Sequence, residues 1–203
     1  MLSQCGYTER AIPLGEEAVA AARRVGAPFL LGSCLYFLGL AYQSTDLERT
    51  ARLLDESLAL PSPPESLGGR VWIRVAIGQL RSALGDPARA LSEFASSVEG
   101  AQQSGDRFVL PPALQGMAHA CRQLSRLDDA ARLLAAADGL AEQLGTTGGP
   151  AATVARTRAA ARLRELLGDD RFDPAWNTGR GLSFQDAIGL ALDVSGRATS
   201  PSS

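Results

Sequence analysis

The stretch ERTARLLDESL (residues 48–58) returns, with small and large residues in the same places, as ARALSEFASSV (88–98) and LDDAARLLAAAD (127–138), and is foreshadowed by ERAIPLGEEAV (9–19). A small residue recurs at Ala11, Ala51, Ala90 and Ala130, at spacings of 40, 39 and 40. Apolar residues follow four to seven positions later, at Phe94 and Leu134 and then at Ala18, Leu58 and Ala137, on the same side of a helix. The segments between carry a second, independent ruler: Leu38-Gly39 with Tyr42, Ile77-Gly78 with Arg81, and Met117-Ala118 with Cys121, spaced 39 and 40 residues apart. Antiparallel helices about 8–10 Å apart need small side chains where their axes cross. The pattern therefore predicts an all-α chain of helix pairs that stack and bury a continuous core as a right-handed superhelix.

Local signals agree with helices. Alanine and leucine dominate, β-branched residues are few, and glycine or proline punctuates at helix-length intervals. Starts are expected at Thr8, at Asp46, at Asp86 with Pro87 in the first helical position, and at Ser125 with Asp128 three residues on. Stops are expected at Gly26, Gly105 and Gly145. Only MLSQCGY precedes Thr8, so the first unit reads as lacking its first helix, its open end left for a preceding segment or another chain to cover.

Composition narrows the chemistry. All 20 basic residues are arginines; without lysine there is no phosphate-loop lysine, Schiff-base lysine or Ser-Lys dyad. The net charge of −2 gives no general attraction to nucleic acid. Cys5, Cys34 and Cys121 are odd in number, far apart and in no C-x-x-C pair, which argues against a disulfide framework or a zinc site and for the reducing cytoplasm. The N-terminus does not read as a signal peptide, and FLLGSCLYFLGLAY (29–42), the most apolar window, is too short to span a bilayer and reads as a buried helix. No cofactor, metal, membrane or direct nucleic-acid partner is expected.

On its repeating residues the chain resembles, over residues 8 to about 145, the tetratricopeptide family, whose units carry Leu-Gly and Tyr in the first helix and Ala, an aromatic and Ala in the second. The period exceeds that family's usual 34 residues, pointing to the longer-looped variety of large bacterial signalling ATPases. After it come the loop TTGGP, the helix ATVARTRAAARLRELLG and the stretch LGDDRFDPAWNTGRGLSFQDAIGLALD (167–193). Leu167, Gly168, Phe172, Ala175, Trp176, Gly179, Arg180, Leu182, Ser183, Ala187, Ala191 and Leu192 resemble, in order, the segment that closes the tetratricopeptide-like region of bacterial LuxR-type regulators and related signal-transduction ATPases. The resemblance implies a sensor or interaction array, cytoplasmic, with a protein, peptide or small-ligand partner and in some settings an ATPase domain. No G-x-x-x-x-G-K-[ST] segment is present, so nucleotide hydrolysis is not carried over, nor is sequence-specific DNA binding. The expected organisation is repeats over 1–145, C-terminal capping helices over 146–194 and a disordered tail over 195–203.

Several residues have two readings. The G-R-G-L-S turn could offer amides to an anion, or Gly179 could end one helix while Ser183 caps the next with Asp186 three residues on. Trp176 could stack on a ligand, or with Phe172 cover the last repeat. Arg156, Arg158, Arg162 and Arg164 spread around one helix at about 100° per residue and read as a solvated, salt-bridged face. Offsets from Gly39, Gly78 and Ala118 define a candidate inner surface of Ser33, Tyr36, Gln43, Trp72, Gln79, Ser82, Gln115, His119 and Arg122. Its binding candidates are Tyr36, Gln43, Trp72, Gln79, Gln115, His119 and Arg122, whose aromatic and amide groups suit a peptide or modest polar ligand. No catalytic residues are assigned. His119 and Cys121, two apart, fall on different sides of a helix. A scaffold that associates through its repeat ends, forming homo-oligomers, is the alternative.

Overall fold

In the computed structural model, which describes residues 2–61 and 67–199 and the side chains of 10–61 and 69–196, the chain is all-α. Among the described residues it forms ten α-helices and no strand. They are α1 (Leu2–Val25), α2 (Pro28–Tyr42), α3 (Leu47–Ala59), α4 (Leu67–Ala83), α5 (Pro87–Ser104), α6 (Leu110–Gln123), α7 (Leu127–Gln143), α8 (Pro150–Leu167), α9 (Asp169–Arg180) and α10 (Phe184–Thr199). A short 3-10 turn, Arg107–Val109, leads into α6.

Boundaries follow local chemistry. Asp46 accepts from the Arg49 amide at 2.8 Å to open α3, and Asp86 accepts from the Arg89 amide at 3.2 Å to open α5, with Pro87 at its first position. Each carboxylate satisfies a first-turn N–H that the helix cannot. Gly26, Gly105 and Gly145 take positive φ where helices end. Two expected starts are corrected. α1 is already helical at Leu2, so Thr8 lies inside it. Ser125 does not cap α7: its φ is +60°, its own amide donates to Arg122, and the Arg126 amide reaches back to the Cys121 carbonyl at 2.8 Å.

Forty residues earlier Gly85 makes the same turn, with φ +78° and the Asp86 amide bonded to the Arg81 carbonyl at 2.9 Å. Ser125 therefore stands in a left-handed position otherwise filled by glycine. A side chain there costs about 1–2 kcal/mol, and glycine's extra freedom when unfolded offsets about 0.5–1 kcal/mol of any gain. Ser125→Gly is expected to raise the unfolding free energy by about 0.5–1 kcal/mol in urea titration. A loss instead would show that the turn draws on the serine hydroxyl.

The crossings predicted from the repeat are where the core closes. A Cβ on Gly39 would stand 3.1 Å from Leu54 of α3, and one on Gly78 2.7 Å from the Phe94 ring of α5. Phe94 and Leu54 are fully buried and Leu134, next in the register, nearly so. Phe94 also presses on Gly116 of α6, where a Cβ would overlap the ring. Two serines forty residues apart tie neighbouring helices: Ser57 Oγ donates to the Gly32 carbonyl and Ser97 Oγ to the Val71 carbonyl, both at 2.8 Å. At the N-terminal side, Tyr42 Oη and Arg49 both donate to Glu16 Oε1, at 2.8 and 2.5 Å, linking α1, α2 and α3. The small repeat residue is buried at Ala90 and Ala130, half-buried at Ala51 and exposed at Ala11, because α1 packs mainly on α2.

The helix α2 departs from the reading of residues 29–42 as a buried helix. Leu35, Leu38, Gly39 and Tyr42 are covered, but Phe29 and Phe37 are 56% and 66% exposed. It is apolar all round, and only one side meets α1 and α3.

The C-terminal helices do two things. α9 lies along α7 in the same direction: Arg171 pairs with Asp128 at one end, and Arg180 with Asp138 (3.2 Å) and Glu142 (2.6 Å) at the other. The backbones nearly touch: a Cβ on Gly139 would stand 2.5 Å from the Arg180 carbonyl oxygen, and one on Gly179 would overlap that of Arg132. Then α10 turns back across α5, α6 and α7. Arg107 lies over the Phe184 ring at 4.9 Å, and Arg126 donates to the Val194 carbonyl at 2.9 Å. α10 continues to Thr199, five residues into the segment expected to be a disordered tail. No described helix is long and apolar enough to cross a membrane.

Candidate functional site

The first halves of α2 and α4 do not close fully on each other. Between them lies a cavity of about 410 Å³ walled by Phe29, Tyr36, Phe37, Trp72 and Ile73, with Arg70 as the only charged lining residue among those described. Trp72 is shared with a second cavity of about 380 Å³, lined also by Phe108, Pro111, Pro112 and Gln115 of the α6 region and by Arg156 of α8. Gln115 is shared in turn with a small hollow of about 110 Å³ containing His119, Arg122 and Leu163. The three hollows thus follow one another along a single side made by α2, α4, α6 and α8.

Aromatic side chains concentrate there. Phe29, Tyr36, Phe37, Trp72 and Phe108 are five of the eleven aromatic residues in the chain, and Phe108 is 57% exposed. Phe29, Phe37 and Phe108 are exposed there, while Tyr36 and Trp72 are half-buried against the core. Tyr36 meets Phe37 edge to face with centroids 5.1 Å apart. The Trp72 indole is fixed by donating its N–H to Asp106 Oδ2 at 3.0 Å, while Asp106 Oδ1 accepts from the Phe108 amide at 3.0 Å. One carboxylate thus positions two of the aromatic elements.

Of the sequence-derived binding candidates, Tyr36, Trp72, Gln115, His119 and Arg122 line these hollows. Gln43 and Gln79 line none of the described cavities: Gln43 is the residue that ends α2, and Gln79 is exposed past the open half of α4. Ser33 borders the first cavity with its hydroxyl turned to the Phe29 carbonyl at 3.2 Å, and Ser82 is buried. Phe29, Phe37, Arg70, Phe108 and Arg156 were absent from the sequence-derived surface. Burial raises the Tyr36 phenol above its ordinary range. His119 is held below its ordinary value by desolvation first and by the Arg122 charge second.

A different hollow, of about 470 Å³, lies near Trp176 among Asp138, Glu142, Arg156 and Arg180. Its charges are mutually paired: Arg156 and Arg180 meet on Asp138, and Arg180 also takes Glu142. Trp176 is half-buried and stacks on the buried Phe172 at 5.2 Å, both against the main core. The G-R-G-L-S turn is explained without an anion. Ser183 Oγ accepts from the Asp186 amide at 3.2 Å and donates to its carboxylate at 2.6 Å, capping α10. Gly179 does not end a helix as expected; it sits in the last turn of α9, where the Arg132 backbone leaves no room for a side chain. Arg156, Arg162 and Arg164 pair with Asp138, Glu165, and Asp169 with Asp173, respectively.

No group of three or more His, Cys, Asp or Glu residues that could hold a metal ion occurs among the described residues. No protein-family model, curated protein or solved structure matches this chain.

Proposed function

We propose that the chain is a non-enzymatic binding module: a tetratricopeptide-like, right-handed array of helix pairs that holds a partner on its concave side, the side of α2, α4, α6 and α8. The observation that carries this reading is the run of three adjoining hollows, joined through Trp72 and Gln115, the first two lined by exposed and half-buried aromatic residues. An extended peptide or an apolar ligand fits such a face, with rings as anchors and with Gln115, His119 and Arg122 as polar contacts at the far end. The surroundings of His119 favour binding over catalysis: among the described residues its hollow holds Gln115, Arg122 and apolar side chains, and no carboxylate to orient an imidazole for proton transfer. By the resemblance of residues 167–193, the setting is bacterial signalling or transcription regulation in the cytoplasm, with an ATPase domain as a candidate partner.

Phe37 offers the cleanest test because it is largely exposed. Random 12-residue peptides displayed on phage and selected on the immobilised protein are expected to bind in a Phe37-dependent way. Phe37→Ser should weaken the selected peptides at least tenfold, about 1.4 kcal/mol, with an unchanged melting temperature. Selected peptides that bind wild type and variant equally would overturn the groove as the binding surface.

A second reading, a scaffold that associates through its repeat end, draws on Leu14 and Val25, 65% and 71% exposed on α1. Sedimentation across a hundredfold range of concentration separates the two: a mass that doubles, and stays single in Leu14→Glu, supports the scaffold.

A further inference from the structure

Resting on the reading of the α2–α4 side as a binding surface, we propose that its first cavity is a site for an amphiphilic monocarboxylic acid, an aryl or alkyl chain ending in one carboxylate, whose charge is met by Arg70. The argument starts from which lining groups remain to be satisfied. Ser33 and Ser57 both border the cavity, but their hydroxyls already donate to the Phe29 and Gly32 carbonyls. Phe29, Tyr36, Phe37, Trp72 and Ile73 supply an apolar wall. The Tyr36 phenol has no hydrogen-bond partner among the described residues, and the one charged group, Arg70, is nearly as free. Its guanidinium makes one long bond, to the Leu60 carbonyl at 3.3 Å, and no carboxylate lies within ion-pair distance among the described residues.

Its neighbour one turn on shows the contrast: Arg74 is held by Glu93 at 2.8 Å. Arg70 therefore brings a positive charge, with unused N–H donors, to the edge of an apolar hollow. A guanidinium fork matches a carboxylate with two parallel hydrogen bonds. The charge count selects the ligand further. One cation beside apolar walls balances one negative charge, whereas the second charge of a phosphate monoester would be desolvated without a partner. The cavity, about 410 Å³, is of the size that takes small ligands, and apart from Arg70, the Tyr36 phenol and the two engaged serine hydroxyls its side chains are apolar, so the body of the ligand is hydrocarbon.

Two acids and their neutral amides test this: 4-phenylbutyrate against 4-phenylbutyramide, and octanoate against octanamide. Binding is followed on the Trp72 indole N–H resonance, distinguished from that of Trp176 with Trp176→Phe, and by calorimetry. Each acid is expected to saturate the Trp72 shift and to bind at least tenfold more tightly than its amide. Arg70→Gln should bring acid and amide to equal affinity with the amide unchanged, and Arg70→Lys should keep a preference for the acid.

Equal binding of acid and amide to wild type, or a preference that survives Arg70→Gln, overturns the assignment of the charge. Failure of both acids to move the Trp72 resonance at millimolar concentration overturns the site. If the selected peptides still bind through Phe37 in that case, only this inference falls; if they do not, the binding surface falls with it.

Discussion

Phe94→Ala is expected to lower the unfolding free energy by about 3–5 kcal/mol, the range for removing a fully buried aromatic ring from a core that relaxes only in part. The ring is fully buried, and it fills the space left by two glycines on different helices, Gly78 of α4 and Gly116 of α6. Neither glycine has a side chain to move into the void, so the cavity stays. Urea titration followed by far-ultraviolet circular dichroism reads the loss; a change under about 1 kcal/mol would mean that α4 and α6 collapse onto the gap. The same geometry makes the converse change costly, since a methyl on Gly116 overlaps the ring. Combining Phe94→Leu with Gly116→Ala is therefore expected to be less damaging than the sum of the two single changes, because each makes room for the other.

The second large effect is at the α7–α9 contact. Gly179→Ala is expected to cost about 3 kcal/mol, the upper part of the range for overpacking, because the methyl meets a main-chain carbonyl of Arg132 that no rotamer change can move. The control is two residues on. Gly181 has φ −87°, and a Cβ there comes no closer than 3.8 Å to the Asn177 carbonyl oxygen, so Gly181→Ala should leave the melting temperature nearly unchanged. Equal effects at both positions would remove the close backbone approach as the reason for glycine at 179.

Much of this was legible in the residues. The caps at Asp46, Asp86 and Ser183 could be read because a short acceptor before an apolar period has one favourable use. The spacing of Gly39 and Gly78 pointed to real crossings, since only contact between helices imposes a small residue at a fixed period. The repeat does not mark Gly116, because it places the small residue at Ala118; the Phe94 ring, larger than Leu54 at the equivalent place, needs an extra gap one half-turn earlier. Ser125 reads as a cap because serine serves there so often, whereas the turn geometry it shares with Gly85 puts it where side chains are strained.

The site was half legible for a related reason. Offsets along a helix locate one side of it, and they found Tyr36, Trp72, Gln115, His119 and Arg122. They do not say how far along that side the neighbouring helices stay apart. The openings lie against residues 28–37 of α2 and 69–73 of α4, which excludes Gln43 and Gln79 and admits Phe29 and Phe37. An apolar run such as FLLGSCLYFLGLAY gives no hint of which of its rings will remain uncovered.

The return of α10 across α5, α6 and α7 changes what kind of object the chain is. A plain stack of repeats behaves as a row of neighbours, each able to fray or fold with regard only to the next. Here the last helix is a buckle. Arg107 on Phe184 and Arg126 on the Val194 carbonyl join points far apart in the chain, so the segment from α5 to α10 closes into a ring of contacts. Bringing such distant points together costs chain entropy, which the packing of the intervening helices lowers. The molecule thus divides at its weaker seam, between α3 and α4, into an open arm of α1 to α3 and a fastened body that begins with α4, whose Val71 and Val75 belong to the main core, and the apolar cavity lies at that seam.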